Sequence, residues 1–187
     1  MRLGSYTLVE RIGFGGMAEV YLAEREDIAG FKKTVVVKKI LAHLAKDAHF
    51  REMFLREAQL AARLRHAHIV QIVDFAEDHG TYFIAMEHVD GVTLDRLAST
   101  AWAKKQPLPM ELVCAAVAEA ALGLHHAHTL AEGSLIHRDI TPENIMIDRQ
   151  GVTKILDFGI AKPIDDPRSI TEVGELKGKI RFLSPEQ

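Results

Sequence analysis

Asp139 and Asn144 stand at D-x-x-x-x-N spacing in His137-Arg138-Asp139-Ile140-Thr141-Pro142-Glu143-Asn144, and Asp157-Phe158-Gly159 begins thirteen residues after Asn144. One carboxylate is thereby available to take a proton. An amide oxygen and a second carboxylate, the latter on a glycine-hinged turn, supply two acceptors that can converge on one point. Metal-assisted phosphoryl transfer needs that set, a group to orient the attacking hydroxyl and oxygens to hold a cation against phosphate. His137 fits a packing and hydrogen-bonding role better than that of a base.

The elements that must position these groups follow from periodicity. Tyr6 to Gly13 alternates apolar and polar residues, as a half-buried strand does. The turn Gly13-Phe14-Gly15-Gly16-Met17-Ala18-Glu19-Val20 leads into a strand over Glu19 to Glu24, and its glycines would let backbone N–H groups approach phosphate oxygens. By itself the turn also reads as a tight hairpin. It joins two strands rather than a strand and a helix, which argues against a dinucleotide-binding fingerprint. Lys33 to Ile40 is a third strand around Val35-Val36-Val37, and alternation sends Lys38 and Lys39 to opposite faces. Phe50 to Leu64 has helical spacing, with charged residues on its open side; Glu52 reads as part of a solvated, ion-paired surface.

Strands over Ile69 to Phe75 and Thr81 to Glu87 flank a Glu77-Asp78-His79-Gly80 hairpin loop. Beyond Val89 the pattern turns helical. Thr93 caps a helix reaching about Ala103, Pro107 to Pro109 break the chain, and Met110 to Leu130 forms a long Ala-rich helix. Ile145 to Ile147 and Val152 to Leu156 are short strands around an Asp-Arg-Gln-Gly turn. His66 and His68, and likewise His125, His126 and His128, lack the further spaced ligands of a metal site and read as structural or surface residues.

Composition narrows the function classes. The 187 residues suffice for one sizeable core or two small lobes, and a net charge of −3 gives no support to a nucleic-acid role. The single cysteine, Cys114, excludes an internal disulfide, fits a reducing compartment and is expected to pack in the apolar run Leu112 to Leu124. That run is too short for a membrane span, and no signal peptide precedes the first strand, so a cytoplasmic location is expected.

Taken together these stretches resemble the protein kinases, and most closely bacterial Hanks-type serine/threonine kinases. The likeness covers essentially the whole chain. It implies an α+β, bilobal fold: an antiparallel β-sheet N-lobe with one main helix over residues 1–88, and a truncated, mainly α-helical C-lobe over residues 89–187. The latter would hold the hinge, helices D and E, the catalytic loop and the activation segment. The implied activity is transfer of the ATP γ-phosphate to a protein Ser or Thr hydroxyl, with ATP and Mg²⁺ as cofactors. The alternative is a non-catalytic nucleotide-binding or regulatory fragment, because the chain stops just after Ser184-Pro185-Glu186.

By the same resemblance Asp139 is the catalytic carboxylate, and Asn144 and Asp157 hold the metal. Lys38 pairs with Glu57 and orients the α- and β-phosphates. Ile12, Gly13, Gly15, Gly16, Val20, Val36, Met86, Glu87, Val89 and Met146 surround the nucleotide; Met86 is the gatekeeper, and the backbone of Glu87 and Val89 meets adenine. Thr171 and Ser169 are the regulatory hydroxyls, with Arg138 waiting for a phosphate on Thr171. A protein substrate and a dimer for autophosphorylation are the implied partners.

One departure from the family bears on the chemistry. Thr141 stands where serine/threonine kinases carry Lys, and Lys179 where they carry Thr. The two residue types have changed places, so Lys179 is expected to supply the cation at the transferring phosphoryl group and Thr141 the hydroxyl.

Overall fold

The computed structural model describes residues 1–26, 30–130, 135–158 and 182, leaving aside the Glu57 side chain. The chain divides into two compact units, Met1–Arg63 with Gln71–His88, and Leu64–Val70 with Val89–Gln187. The short stretch Leu64–Val70 thus belongs with the second unit although first-unit chain flanks it on both sides.

The first unit is built on β1 (Arg2–Leu3), β2 (Tyr6–Phe14), β3 (Ala18–Glu26), β4 (Lys32–Ile40), β5 (Ile72–Asp78) and β6 (Thr81–Glu87). They form an antiparallel sheet in the order β1-β2-β3-β4-β6-β5. Alternation along β4 sorts its side chains cleanly. Val35 and Val37 are fully buried with Leu3, Tyr6, Leu8, Ala23, Phe83 and Ala85 in one core, while Val36 and Lys38 leave from the other face. The sheet curls far enough for its two edges to meet. Tyr6 Oη donates to Asp74 Oδ2 at 2.9 Å, and Gly4 N donates to Asp78 Oδ2 at 2.8 Å. Burial, reinforced by the Asp74 carboxylate, pushes the Tyr6 phenol up to about 12.

After a short helix α1 (Ala42–Ala45), Asp47 caps α2 (Ala48–Ala61) by accepting from Phe50 N at 3.0 Å. Phe50, Phe54, Ala58 and Ala61 form its buried stripe. The helix therefore ends at Ala61, short of the Leu64 that periodicity predicts, because Leu64 is buried as part of the second unit.

The second unit begins with β7 (Gly91–Thr93), which runs into α3 (Leu94–Ala103) where Thr93 Oγ1 accepts from Arg96 N at 3.2 Å. Helix α4 (Met110–His128) follows, then a 3-10 turn (Pro142–Asn144), β8 (Ile145–Asp148) and β9 (Thr153–Ile155). Strands β7, β8 and β9 form a small antiparallel sheet in that order. Its β8–β9 turn is tied by Asp148 Oδ1, which accepts from Gln150 N and Val152 N at 2.9 and 2.8 Å.

Small residues let α4 approach its neighbours. Ala116, Ala120, Gly123 and Ala127 are its buried positions, and a Cβ at Gly123 would lie 3.0 Å from His68 O and 3.1 Å from Ile155 Cδ1. Cys114 is exposed, contrary to the packing role expected of it, because the buried stripe passes through Ala116 and Ala120 instead. Among the described residues no helix is long and apolar enough to cross a membrane.

Candidate active site

The residues singled out by their chemistry fall into two groups, one in each unit. In the first unit the register sets the arrangement. Lys38 lies opposite Val20 on β3 and Ile84 on β6, and Val36 lies opposite Leu22 and Met86. Directly opposed residues share a face, so Val20, Val36, Lys38 and Met86 all leave the sheet on the side away from the Val35–Val37 core. Phe75, opposite Ile84, is on that side too, and Phe54 of α2 packs on it with ring centroids 5.6 Å apart. Helix α2 is thus held against the Lys38 face. Glu57 is on this helix, but its side chain lies outside the described residues.

Lys39 is engaged elsewhere. It faces Glu19 across the β3–β4 ladder, its Nζ 2.6 Å from Glu19 Oε2 and 5.7 Å from the Tyr21 ring centroid. Hydrogen bonding from Lys39 is the main reason that the Glu19 carboxyl is held below its ordinary range.

The glycine turn closes with Gly15 N donating to Ala18 O at 3.0 Å. Gly13 lies opposite Val20, and Ile12 is exposed beside it. A Cβ added at Gly15 or Gly16 would meet nothing within 4 Å, and neither residue needs a left-handed backbone. The fold therefore does not itself demand glycine at either position. At the end of β6, Glu87 N donates to Gln71 O and Gln71 N to Glu87 Oε1, both at 2.9 Å.

In the second unit a hydrogen-bonded frame surrounds Asp139. His137, 1% exposed, donates from Nε2 to Leu156 O at 2.7 Å and accepts Asp139 N–H at Nδ1 at 3.2 Å. A carbonyl can only accept and an amide N–H can only donate, so both bonds together fix one neutral tautomer. Its ring also lies 4.8 Å from that of Phe158. His137 is a strut, as its residue type and setting predicted.

Asn144 is the second strut. Its Nδ2 donates to Asp139 O at 2.8 Å and Asp139 Oδ2 at 3.3 Å, its backbone N to Thr141 O at 2.9 Å, and its O accepts from Leu156 N at 2.9 Å. Leu156 thus ties both struts together, one residue before Asp157. Met146 on β8, half-buried, lies opposite Thr93 and Lys154, and Val89 is likewise half-buried at the start of this unit's second stretch.

Two features of this frame were not legible in residue types. Arg138 and Asp157 both occupy the left-handed region, with φ of 63° and 47°. For non-glycine residues this stores roughly 1–3 kcal/mol each, and such strain collects at functional sites. Leu156 gives no sequence signal at all, because it acts through its backbone. Lys179, Thr171 and Ser169 lie outside the described residues.

The oxygen donors suit a magnesium ion. The Asn144 amide turns its nitrogen to Asp139, which reserves Oδ1 as its acceptor end, and Asp157 offers a carboxylate. Mg²⁺ takes hard oxygen ligands, and at nucleotide sites the protein gives only one or two of them beside the phosphates. Among the described residues there is no group of three His, Cys, Asp or Glu side chains that could hold a metal ion.

A curled antiparallel sheet with one capped helix, and a helical unit carrying the Asp139–Asn144 turn beside Asp157, define the protein kinase fold, and the chain belongs to that family: the protein kinase domain model matches residues 6–187. Among characterised relatives, the tyrosine-protein kinase MasK of Myxococcus xanthus is 40% identical over 98% of this chain and 29% of its own length. The serine/threonine-protein kinase PrkC of Bacillus subtilis is 40% identical over 98% of this chain and 27% of its own. The crystal structure of the Mycobacterium tuberculosis PknI kinase domain aligns with a TM-score of 0.71 at 34% identity, covering 87% of this chain and 62% of that domain. The chain thus spans under a third of these curated relatives, at 27–29%, and 62% of the solved domain.

Proposed function

We propose that this chain carries the ATP-binding and catalytic-loop portion of a protein kinase that transfers the ATP γ-phosphate to a Ser or Thr hydroxyl of a protein. The observation that carries the reading is the frame around Asp139. Its carboxylate is anchored by Asn144, its backbone by His137, and both struts meet at Leu156 beside Asp157. A general base needs such fixed aim more than it needs an unusual affinity for protons.

In this role Asp139 orients the attacking hydroxyl and accepts its proton. Asn144, through Oδ1, and Asp157 would hold Mg²⁺, whose chemistry when bound is to neutralise charge on the phosphate oxygens. Lys38, partnered by Glu57, would orient the α- and β-phosphates. Gly13, Gly15 and Gly16 would let backbone N–H groups reach the nucleotide. A ligand accounts for Gly15 and Gly16, where neither sterics nor backbone conformation does. Ile12, Val20, Val36, Met86 and Met146 would pack on the base. Glu87 N already donates to Gln71 O, so adenine would meet the Glu87 carbonyl and the backbone of Val89.

Lys179 would bring the cation that Thr141 does not. Phosphorylation of Thr171 or Ser169, by a second copy in a dimer, would engage Arg138. A cytoplasmic site of action completes the reading.

Incubation of the whole protein with γ-labelled ATP, Mg²⁺ and a generic protein acceptor, followed by identification of the labelled residue, tests this. Labelled Ser or Thr is expected. Label on Tyr, the residue in the name of MasK, would overturn the acceptor assignment. Nucleotide-induced stabilisation without any transfer would favour a non-catalytic nucleotide-binding role.

A further inference from the structure

Strand β9 is the last strand of the small sheet, yet Thr153 and Ile155 on it are fully buried. Backbone groups in such a place need partners, and alternate residues of an antiparallel strand present theirs to opposite sides. Thr153 and Ile155 bond away from β8, and Leu156 bonds inward to Asn144 and His137. Ile155 takes both outward partners from the backbone of His68 and Val70, a service that depends little on residue type. Thr153 takes both from side chains. Its N–H donates to Glu119 Oε2 at 2.8 Å, and its carbonyl accepts from His68 Nδ1 at 2.9 Å.

Glu119 is out of place on its own helix. Beside Glu111 in the first turn it is the one acidic residue of α4, which has no Lys or Arg. Its neighbours three residues before and four after are the buried Ala116 and Gly123. Alanine would serve that packing without desolvating a carboxylate. The carboxylate is accounted for by what it reaches 34 residues along the chain, the Thr153 N–H, with His68 Nδ1 3.7 Å away. Leu156 lies three residues further on, and both struts of Asp139 are bonded to it. A strand displaced at Thr153 would carry them with it, and a displacement of about 1 Å at a reacting group can cost about 100-fold in rate. All of these residues belong to the second unit.

We propose that Glu119 is a positioning residue for phosphoryl transfer, with His68 as its partner: together they hold the outer edge of β9 and so fix Leu156, to which the frame of Asp139 is tied. What matters is the reach of the acceptor oxygen and not its charge. This rests on the phosphoryl-transfer reading above and extends the frame to a side chain on α4 that touches none of the reacting groups.

The test compares the wild type with Glu119→Gln, Glu119→Asp and Glu119→Ala in the whole protein, at a temperature where each is folded. Two quantities are read: kcat for phosphoryl transfer, and amide hydrogen exchange at Leu156 and Asp139, with Val37 of the first-unit core as reference. Glutamine keeps an acceptor oxygen at the same reach and should stay within about two-fold of the wild type in both. Aspartate keeps the charge but falls one methylene short, and alanine has no acceptor. Each of these two should lower kcat about ten-fold and speed exchange at Leu156 and Asp139 about ten-fold, with Val37 unmoved. The aspartate variant keeps the test decisive if alanine folds poorly. Wild-type kcat in both would overturn the inference and leave the kinase reading standing. Exchange accelerated equally at all three amides would overturn it as well, by reducing Glu119 to general support of the fold. An impaired glutamine variant beside a normal aspartate one would overturn it by assigning the role to charge. A wild-type protein that transfers no phosphate would overturn both readings.

Discussion

At the level of single residues, two adjacent lysines separate by the parity of a strand. Lys38 shares a sheet face with Val20, Val36 and Met86, while Lys39 is bound to Glu19 at 2.6 Å on the other. Lys38→Met is therefore expected to reduce phosphoryl transfer by about 100-fold or more, the scale of losing one preorganised electrostatic contact. Lys39→Met should cost at most about 1 kcal/mol of stability, as for a partly exposed ion pair, and leave transfer within about two-fold. Steady-state kinetics with thermal melts checks both, and the reverse pattern would place the catalytic lysine one position later. That the two lysines leave opposite faces of the sheet was readable from alternation alone. The left-handed backbone at Arg138 and Asp157 was not. Arginine has no preference for that region, and here it stands between His137 and Asp139, both of them hydrogen-bonded.

At the level of elements, strands and helices with strong periodicity or a side-chain cap were legible almost to their ends. Examples are β6 at Thr81–Glu87 and α3 behind its Thr93 cap. Strands β1 and β7, two and three residues long, carry no period and exist only through pairing. Gly91 shows how tight that pairing is: a Cβ there would lie 2.3 Å from Ile147 O. Gly91→Ala is expected to destabilise the chain by about 1–3 kcal/mol, since a backbone atom cannot step aside. Denaturant melts showing wild-type stability would contradict the packing.

The stretch Leu64–Val70 is another element whose place no local signal announced. It is stitched to β9 by Val70 N–H to Ile155 O and Ile155 N–H to His68 O, both at 2.9 Å. His68 Nδ1 also donates to Thr153 O at 2.9 Å, and the rings of His68 and His126 stand 5.3 and 5.1 Å from that of His66. Burial, then the neighbouring His126 and His68, holds the His66 imidazole below its ordinary 6.5. The folded chain therefore binds this proton less readily than the unfolded one. Its contribution to stability is full above pH 6.5 and declines as pH falls from there through the lowered folded value. Glu119, 3.7 Å from His68 Nδ1, is itself held below its ordinary range, chiefly by Thr153 N–H. Melts between about pH 7.5 and 5.5 should show stability falling in the wild type and falling less in His66→Gln. Identical slopes would remove His66 from the account.

At the level of the whole molecule, the kinase fold was readable because the motifs that carry the resemblance lie in order along the chain, and the roles proposed for Asp139, Asn144 and Asp157 rest on the same motifs. What stayed hidden depends on tertiary placement: the exposure of Cys114, the attachment of Leu64–Val70 to the second unit, the sealed hydroxyl of Thr141. The central claim is that Asp139 is framed for proton acceptance in phosphoryl transfer. Its most direct test is Asp139→Asn in the whole protein, comparing label transfer from γ-labelled ATP with stabilisation by ATP and Mg²⁺. The amide cannot accept the proton but fills the same space. Transfer should fall by about 100-fold or more while nucleotide stabilisation persists. Transfer at the wild-type rate by Asp139→Asn would contradict the account.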